Sequence, residues 1–453
     1  MHTRSLSDVA RAVGGMHLGP EAQVTSIATD SREVVPGALF VAIAGTRVDG
    51  HRFVDEAFAN GATGALVRDG AKVNGPAVHV RATGEALARL AADERTRFAG
   101  TVVAITGANG KTSTKDMTAA VTATTRRTYA SPASFNNEIG LPVTLLGAAS
   151  DTEVIVAELG ARHAGDVRAL CRIARPQVVV VTNVGVAHIE IFGSWDAIVE
   201  ASAEPVEAIG PGGVAILNVD DPVVAGYGGR TDGRVVSVGR SSSADVRAST
   251  VELDAEGRAS FTAGTPRGTV GVRLGVPGEH MVTNALAAIA VGLEVGVEVA
   301  DAAAALSTAT LSRWRMETFT GASGIRVVND AYNANPESVA AALRTARWMA
   351  GDGKLIAVLG PMAELGSIAV QEHERVGELA ARLRVDRLVT VGADAEAVAI
   401  AGVREGVEPG NVASYADAGG ALDDVRAHAR PGDLVLVKAS RVAGLEKLAE
   451  ALR

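Results

Sequence analysis

The sequence predicts an α/β protein of three domains: a small N-terminal α/β unit, a central phosphate-loop domain on a parallel sheet, and a C-terminal Rossmann-like domain. Three observations carry that prediction. The chain has 453 residues, enough for about three domains of ordinary size. Short apolar runs alternate with helical patterns through the central and C-terminal parts, as a parallel sheet covered on both faces requires. One of those runs breaks into a glycine-rich turn ending in Lys-Thr, the order of parts found in a phosphate-binding loop.

Composition sets the limits. Apolar residues make up 47% but aromatic residues only 3%, so the cores must be built from Ala, Val, Leu and Ile. The charged fraction of 21% matches folded globular chains and not disorder. Lys and Arg total 43 against 52 Asp and Glu, a net charge of −9. No general basic field exists to attract nucleic acid or an anionic membrane. An anionic substrate needs only local arginines or backbone N–H groups and stays open. The single cysteine, Cys171, excludes an internal disulfide and suits a reducing compartment. The N-terminus lacks the apolar segment of a signal peptide, and no run of about 18 apolar residues occurs. A cytoplasmic protein is expected.

Each domain follows from its runs. Residues 1–98 hold strand candidates at 39–43 and 64–67 between Gly- and Asp-rich turns. Residues 99–312 hold fully apolar candidates at 102–105, 154–157, 178–182 and 214–218. Residues 313–453 hold candidates at 325–328, 355–360, 387–392 and 434–437, with a helical pattern over 337–349. That last block predicts a second doubly wound sheet, of the kind that binds ligands at strand carboxyl ends. The segment 226–233, Gly-Tyr-Gly-Gly-Arg-Thr-Asp-Gly, reads as a surface loop.

The strand–turn–helix at 102–116 carries the strongest chemistry. Gly107 and Gly110 let the backbone approach anionic oxygens, and the helix behind them aims free N–H groups at the same place. Lys111 suits the β- and γ-phosphates, and the Thr112 hydroxyl suits Mg²⁺. The spacing G-x-x-G-K-T is shorter than the usual G-x-x-x-x-G-K-T. Such a loop does not name a reaction, because NTPases, kinases and ligases all use one. Glu158 and His188 follow two further strand candidates, on the same edge as the loop. Glu158 with Thr112 makes an oxygen-rich Mg²⁺ site, whereas a neutral His is a less typical ligand for that ion. Read alone, the two residues also suit a strand-end turn and a hydrogen-bonded loop histidine.

These residues belong to a longer ordered series, at 29–45, 106–115, 135–142, 158–167, 182–194, 278–288, 313–317, 329–338, 359–366 and 437–441. Over essentially the whole chain the series resembles the Mur ligase superfamily. The string Asp-Ala-Tyr-Asn-Ala-Asn-Pro at 330–336 resembles the branch that joins D-alanyl-D-alanine to a UDP-N-acetylmuramoyl tripeptide. The resemblance implies an ADP-forming ligase of peptidoglycan precursor synthesis that uses ATP and Mg²⁺ and passes through an acyl phosphate. It also implies a monomer with small-molecule substrates. Another amino-acid ligase of the same type, or a nucleotide-binding relative with a scaffold role, is the alternative.

The resemblance further implies roles, residue by residue. Gly107, Ala108, Asn109, Gly110, Lys111, Thr112 and Ser113 resemble the ATP-phosphate cradle, with Thr112 also on Mg²⁺. Glu158 and His188 resemble the second metal site. Asn284 resembles the adenine contact, Arg315 the arginine that reaches an ATP phosphate, and Asp330 the ribose-binding carboxylate. Lys111, Glu158, His188 and Arg315 form the expected catalytic set. Ser31 and Arg32 fall in the segment associated with the uridine diphosphate end. Asn136 and Asn137 would line the muramoyl-peptide cleft, and Tyr332, Asn333 and Asn335 would meet the dipeptide and ATP. One position departs from the pattern. The superfamily commonly carries a CO₂-modified lysine where this chain has Ser202, and no lysine occurs between 115 and 354. Glu200 or Glu204 could supply the missing charge, one Mg²⁺ could suffice, or the relative could be weakened.

Overall fold

Side chains alternate along a strand, and Thr101–Thr106 shows what that does to an apolar run. Val102 and Ala104 enter one buried core, and Val103 and Ile105 enter another on the opposite face. The run therefore reads as continuously apolar, because both faces are covered. The computed structural model describes residues 1–45 and 48–453.

That strand lies in a nine-stranded central sheet. The order is Gly268–Pro277, Arg258–Thr265, Val246–Leu253, Arg234–Gly239, Val214–Asn218, Val178–Val181, Thr101–Thr106, Val154–Glu158, Thr128–Ala130. From Val246–Leu253 to the Thr128–Ala130 edge the strands run parallel. Arg258–Thr265 and Gly268–Pro277, at the other edge, are added through antiparallel pairings. The central sheet is thus parallel as expected, with a two-stranded antiparallel extension that the apolar runs did not announce. The extension's strands alternate buried and exposed residues, with Ala259, Phe261 and Ala263 inward, the pattern of a sheet with one wet face.

The N-terminal sheet has the order Met16–Leu18, Ala77–Val80, Gly64–Arg68, Ala38–Val41, Ser26–Ala28, parallel except for its first strand. The helix Thr83–Arg97 fixes this unit to the centre. Its Leu87 and Leu90 share a core with Val102 and Leu145. The buried Arg95 guanidinium donates to the carbonyls of Ala174 (2.7 Å) and Arg175 (3.0 Å).

The C-terminal sheet has the order Glu317–Thr320, Arg326–Asn329, Leu434–Lys438, Leu355–Leu359, Arg387–Val391, Val412–Tyr415. Only the Glu317–Thr320 edge is antiparallel. The segment 226–233 differs from expectation. Gly226–Arg230 forms a 3₁₀ turn, with Tyr227 buried and its hydroxyl donating to the Val199 carbonyl at 2.7 Å. A large ring that can satisfy its hydroxyl is drawn inward despite the glycines around it. Among the described residues, no helix is long and apolar enough to cross a membrane.

Two consequences of strand order matter for function. In the central sheet, Val178–Val181, Thr101–Thr106 and Val154–Glu158 are neighbours, so their carboxyl ends form one continuous ledge. In the third, Arg326–Asn329, Leu434–Lys438 and Leu355–Leu359 are likewise neighbours.

Candidate active site

The two ledges face each other across a cleft of about 920 Å³. On the central side, Gly107 (φ 134°) and Gly110 (φ 81°) adopt conformations that favour glycine. Space demands glycine as well. A Cβ at 107 would lie 2.1 Å from Thr182 Oγ1, and one at 110 would lie 2.7 Å from Asn284 Oδ1. Asn109 is pinned between them. Its N–H donates to Asn183 Oδ1 (2.7 Å), and its carbonyl accepts from Thr182 Oγ1 (2.6 Å) and Asn183 Nδ2 (3.2 Å). The helix Lys111–Thr122 opens with no side-chain cap, which leaves its first amides for an anion. Ser113 lies buried in that first turn.

Lys111 keeps some exposed surface, but its ammonium is folded back among loop carbonyls. It donates to Gly107 O (2.6 Å) and Ala108 O (3.2 Å). Burial pushes its pKa down, more strongly than the nearby Glu158 charge raises it. Glu158, the last residue of its strand, is 1% exposed. One carboxylate oxygen accepts from Thr112 Oγ1 at 2.7 Å and the other from Asn136 Nδ2 at 2.8 Å. Thr112 also lies 3.1 Å from Ser134 Oγ, which in turn accepts from Arg315 Nη2 at 3.0 Å. Asn137 Oδ1 accepts from the amides of Ile139 (3.3 Å) and Gly140 (2.8 Å), so it holds the loop as well as lining the cleft.

The third domain supplies the opposite wall. The Arg315 guanidinium stacks over the Tyr332 ring at 4.2 Å. Its Nε is buried with no partner among the described residues, an unused donor of the kind an anionic ligand satisfies. Asp330 accepts from Lys438 Nζ at 2.6 Å and from the Met316 amide at 3.0 Å. Lys438 donates also to the Asn333 carbonyl at 2.9 Å. Asn335 caps the helix Pro336–Ala350 by accepting from the Ser338 amide at 2.9 Å. The same side chain donates to Asn109 Oδ1 at 2.7 Å, tying the third domain to the phosphate loop.

His188 starts a short helix in a left-handed conformation (φ 62°). Its Nδ1 donates to the carboxylate of Glu364, which also accepts from the Arg162 guanidinium. Burial lowers the His188 pKa and the Glu364 charge raises it, with burial stronger. Burial pushes the Glu364 carboxyl up, but His188 and Arg162 together bring it below its ordinary value.

Not every expected residue reaches the cleft. Ser31 and Arg32 sit in the first domain, outside its lining. Ser31 is buried, its carbonyl accepting from Asn60 Nδ2 at 2.9 Å, and the exposed Arg32 pairs with Asp30 at 2.5 Å. Ser202 does line the cleft. The suggestion that Glu200 or Glu204 replaces a missing anionic arm there is corrected by the structure. Glu200 faces solvent and pairs with Arg230, and Glu204 is buried under the amides of Gly165 (2.6 Å) and Arg168 (2.9 Å), where it caps a helix. Sequence reasoning missed Lys438, Arg162 and Glu364. All three lie in motif segments, and the signal available was a charged residue directly after an apolar strand or within its loop.

Among the described residues, no three or more His, Cys, Asp or Glu side chains group to hold a metal ion. A hydroxyl and a carboxylate 2.7 Å apart at the phosphate loop suit a hard cation that takes its remaining ligands from phosphate and water.

Three family models match the chain in order: Mur ligase family, catalytic domain, over 23–97; Mur ligase middle domain over 105–292; and Mur ligase, glutamate ligase domain, over 314–441. The UDP-N-acetylmuramoyl-tripeptide–D-alanyl-D-alanine ligase of Mycobacterium tuberculosis is 41% identical, covering 99% of this chain and 97% of the relative. A crystal structure of MurF from Acinetobacter baumannii has a TM-score of 0.88 at 31% identity, covering 100% of this chain and 99% of the other. MurF from Thermotoga maritima in complex with ADP has a TM-score of 0.80 at 28% identity, covering 95% and 97%.

Proposed function

Because this chain belongs to the Mur ligase family, in its MurF branch, we propose that the cleft between the two ledges is where its residues hold ATP and form the amide bond. The chain is an ATP-dependent amide-bond-forming ligase that adds D-alanyl-D-alanine to a UDP-N-acetylmuramoyl tripeptide in peptidoglycan precursor synthesis.

A carboxylate is a poor electrophile at neutral pH. Transfer of the γ-phosphoryl group of ATP to the tripeptide carboxylate gives an acyl phosphate, and the free amine of D-alanyl-D-alanine displaces phosphate from it. Charge spreads over the transferring oxygens, so the protein acts mainly by positioning and electrostatics. Lys111 turns from the carbonyls of Gly107 and Ala108 to the phosphates, and the amides from Lys111 to Ser113 close around them. Arg315 offers its unused Nε–H to the same charge. Asp330 holds the ribose, and Asn284 the adenine. Asn136 and Asn137 border the muramoyl peptide, and Tyr332, Asn333 and Asn335 border the incoming dipeptide. Ser31 and Arg32 serve the uridine diphosphate end from the first domain. Thr112 and Glu158, with His188, would hold Mg²⁺, which when bound neutralises phosphate charge and aligns the oxygens. Opposed ledges exclude water, which an acyl phosphate requires. The same reading keeps the enzyme monomeric and cytoplasmic, with domain limits near residues 98 and 312.

The observation that carries this reading is the buried Glu158 carboxylate held against the phosphate-loop hydroxyl of Thr112. The test is ADP formation with UDP-N-acetylmuramoyl tripeptide, with and without D-alanyl-D-alanine. Turnover should require both substrates. ATP binding with no acceptor-dependent ADP release would overturn the reading.

A further inference from the structure

Three of the bonds that cross from the third domain to the central domain meet at Glu364. Its carboxylate accepts from His188 Nδ1 and from Arg162. Its backbone carbonyl accepts from the Glu190 amide at 3.3 Å. Two residues on, Gly366 (φ 52°) lies so close to Glu190 that a Cβ there would be 3.1 Å from the Glu190 Cβ. Glu364 (φ 63°) and His188 (φ 62°) are both in the left-handed region, an unfavourable conformation for such residues that tends to persist where function needs it.

The loop that presents Glu364 is held rigidly. The Met362 amide donates to Nε2 of the buried His373 at 3.0 Å, and His373 Nδ1 donates to the Ala369 carbonyl at 2.7 Å. The Ala363 amide donates to Ser440 Oγ at 2.9 Å, and the Ser440 amide donates to the Pro361 carbonyl at 3.0 Å. Ser440 follows two residues after Lys438, whose ammonium grips Asp330. The segment that fixes the ribose-side carboxylate therefore also braces the loop carrying Glu364.

We propose that Glu364 is a positioning residue: when the third domain closes, its carboxylate takes the Nδ1–H of His188 and so turns the Nε2 lone pair toward the reacting centre. An ionised carboxylate cannot donate, so the proton of this bond sits on Nδ1. Histidines at metal and phosphate centres work in one tautomer, set by the partner of the other nitrogen. Here that partner comes from a different domain. Closure over the nucleotide and correct presentation of His188 thereby become one event, and an open enzyme holds its histidine unset. This rests on the reading of His188 as part of the reacting centre.

The test uses the full-length enzyme labelled with ¹⁵N-histidine, with ADP and Mg²⁺ added. The His188 signals are identified by their loss in His188→Gln. Wild type should show a protonated Nδ1 and a bare Nε2. Glu364→Ala should lose that single tautomer and lower kcat by about 10- to 100-fold, with little change in KM for ATP. Glu364→Gln is nearly isosteric, and its amide oxygen still accepts from Nδ1, so it should keep the tautomer and recover most of kcat. An unchanged His188 tautomer in Glu364→Ala overturns the proposal, as does equal loss of kcat in the Gln and Ala variants. Full kcat in His188→Ala would instead sink the underlying reading of His188, so the two failures are distinct.

Discussion

Asn335 does two jobs with one amide, and substitutions can separate them. Its oxygen caps the helix Pro336–Ala350, and its nitrogen reaches Asn109 across the cleft at 2.7 Å. Replacing it with Ala removes both. Loss of the cap costs about 1 kcal/mol, which for a domain of this size lowers its melting temperature by roughly 4 °C. Loss of the Asn335–Asn109 bond removes about 1 kcal/mol from the closed arrangement, equivalent to about a fivefold weaker apparent affinity for ATP. Ser caps as well as Asn but is too short to reach Asn109. Asn335→Ser should therefore keep the melting temperature and still lose the fivefold in affinity. Asn109→Ala should lose the same affinity with no effect on the cap, and the double variant Asn335→Ser with Asn109→Ala should be no worse than either single one. Thermal unfolding followed by fluorescence, and titration of ATP by calorimetry, give the two readouts. If Asn335→Ser binds ATP as tightly as wild type, the cross-domain bond contributes nothing to closure and Asn335 is only a cap.

Two further outcomes follow from the site. Burial lowers the Lys111 pKa, so folding disfavours its charged form. That cost is fully present below the folded pKa and fades as pH rises toward the unfolded value, because the unfolded chain then binds more protons. Wild type should gain stability relative to Lys111→Met as pH rises toward the ordinary lysine value of 10.5, measured by urea unfolding without nucleotide, while Lys111→Met loses on the order of 100-fold or more in kcat. A pH-independent difference would show that Lys111 is not desolvated. Ser202 lines the cleft, at the position where the sequence resemblance implies a CO₂-modified lysine. Ser202→Lys should make ADP formation sensitive to bicarbonate, and equal rates with and without it would mean that this position does not face the reacting centre.

Much of the fold was legible because its strands are buried on both faces. The runs at 102–105, 154–157, 178–182 and 214–218 lie within or nearly coincide with observed strands. The antiparallel extension over 258–277 was not read. Its strands are half exposed, so the cue was alternation, as in Ala259, Phe261 and Ala263, which is weaker than an apolar run. The 226–233 segment failed for the opposite reason. Its four glycines read as a loop, and one buried tyrosine ring overrode them.

The site divides along the same line. Residues fixed by the local chain, such as the glycines, Lys111, Thr112 and Glu158, could be read because a strand, a turn and a helix impose them within a few positions. Their neighbours across the cleft could not, because sequence does not say which strand ends meet. Strand order decides it. In each of two sheets three adjacent parallel strands end together, and crossovers leave those ends free for ligands. Setting one such ledge against the other brings Asn335 to Asn109, Arg315 to Ser134 and Glu364 to His188. None of these pairs is closer than 176 residues in the chain. Each ledge alone offers an ordinary ligand edge. Only their opposition makes a cleft in which a phosphate loop, a buried carboxylate and an imidazole are present at once. On the function proposed above, chemistry that must exclude water is thereby made conditional on closure, and residues that neither ledge would need by itself acquire a function at the join.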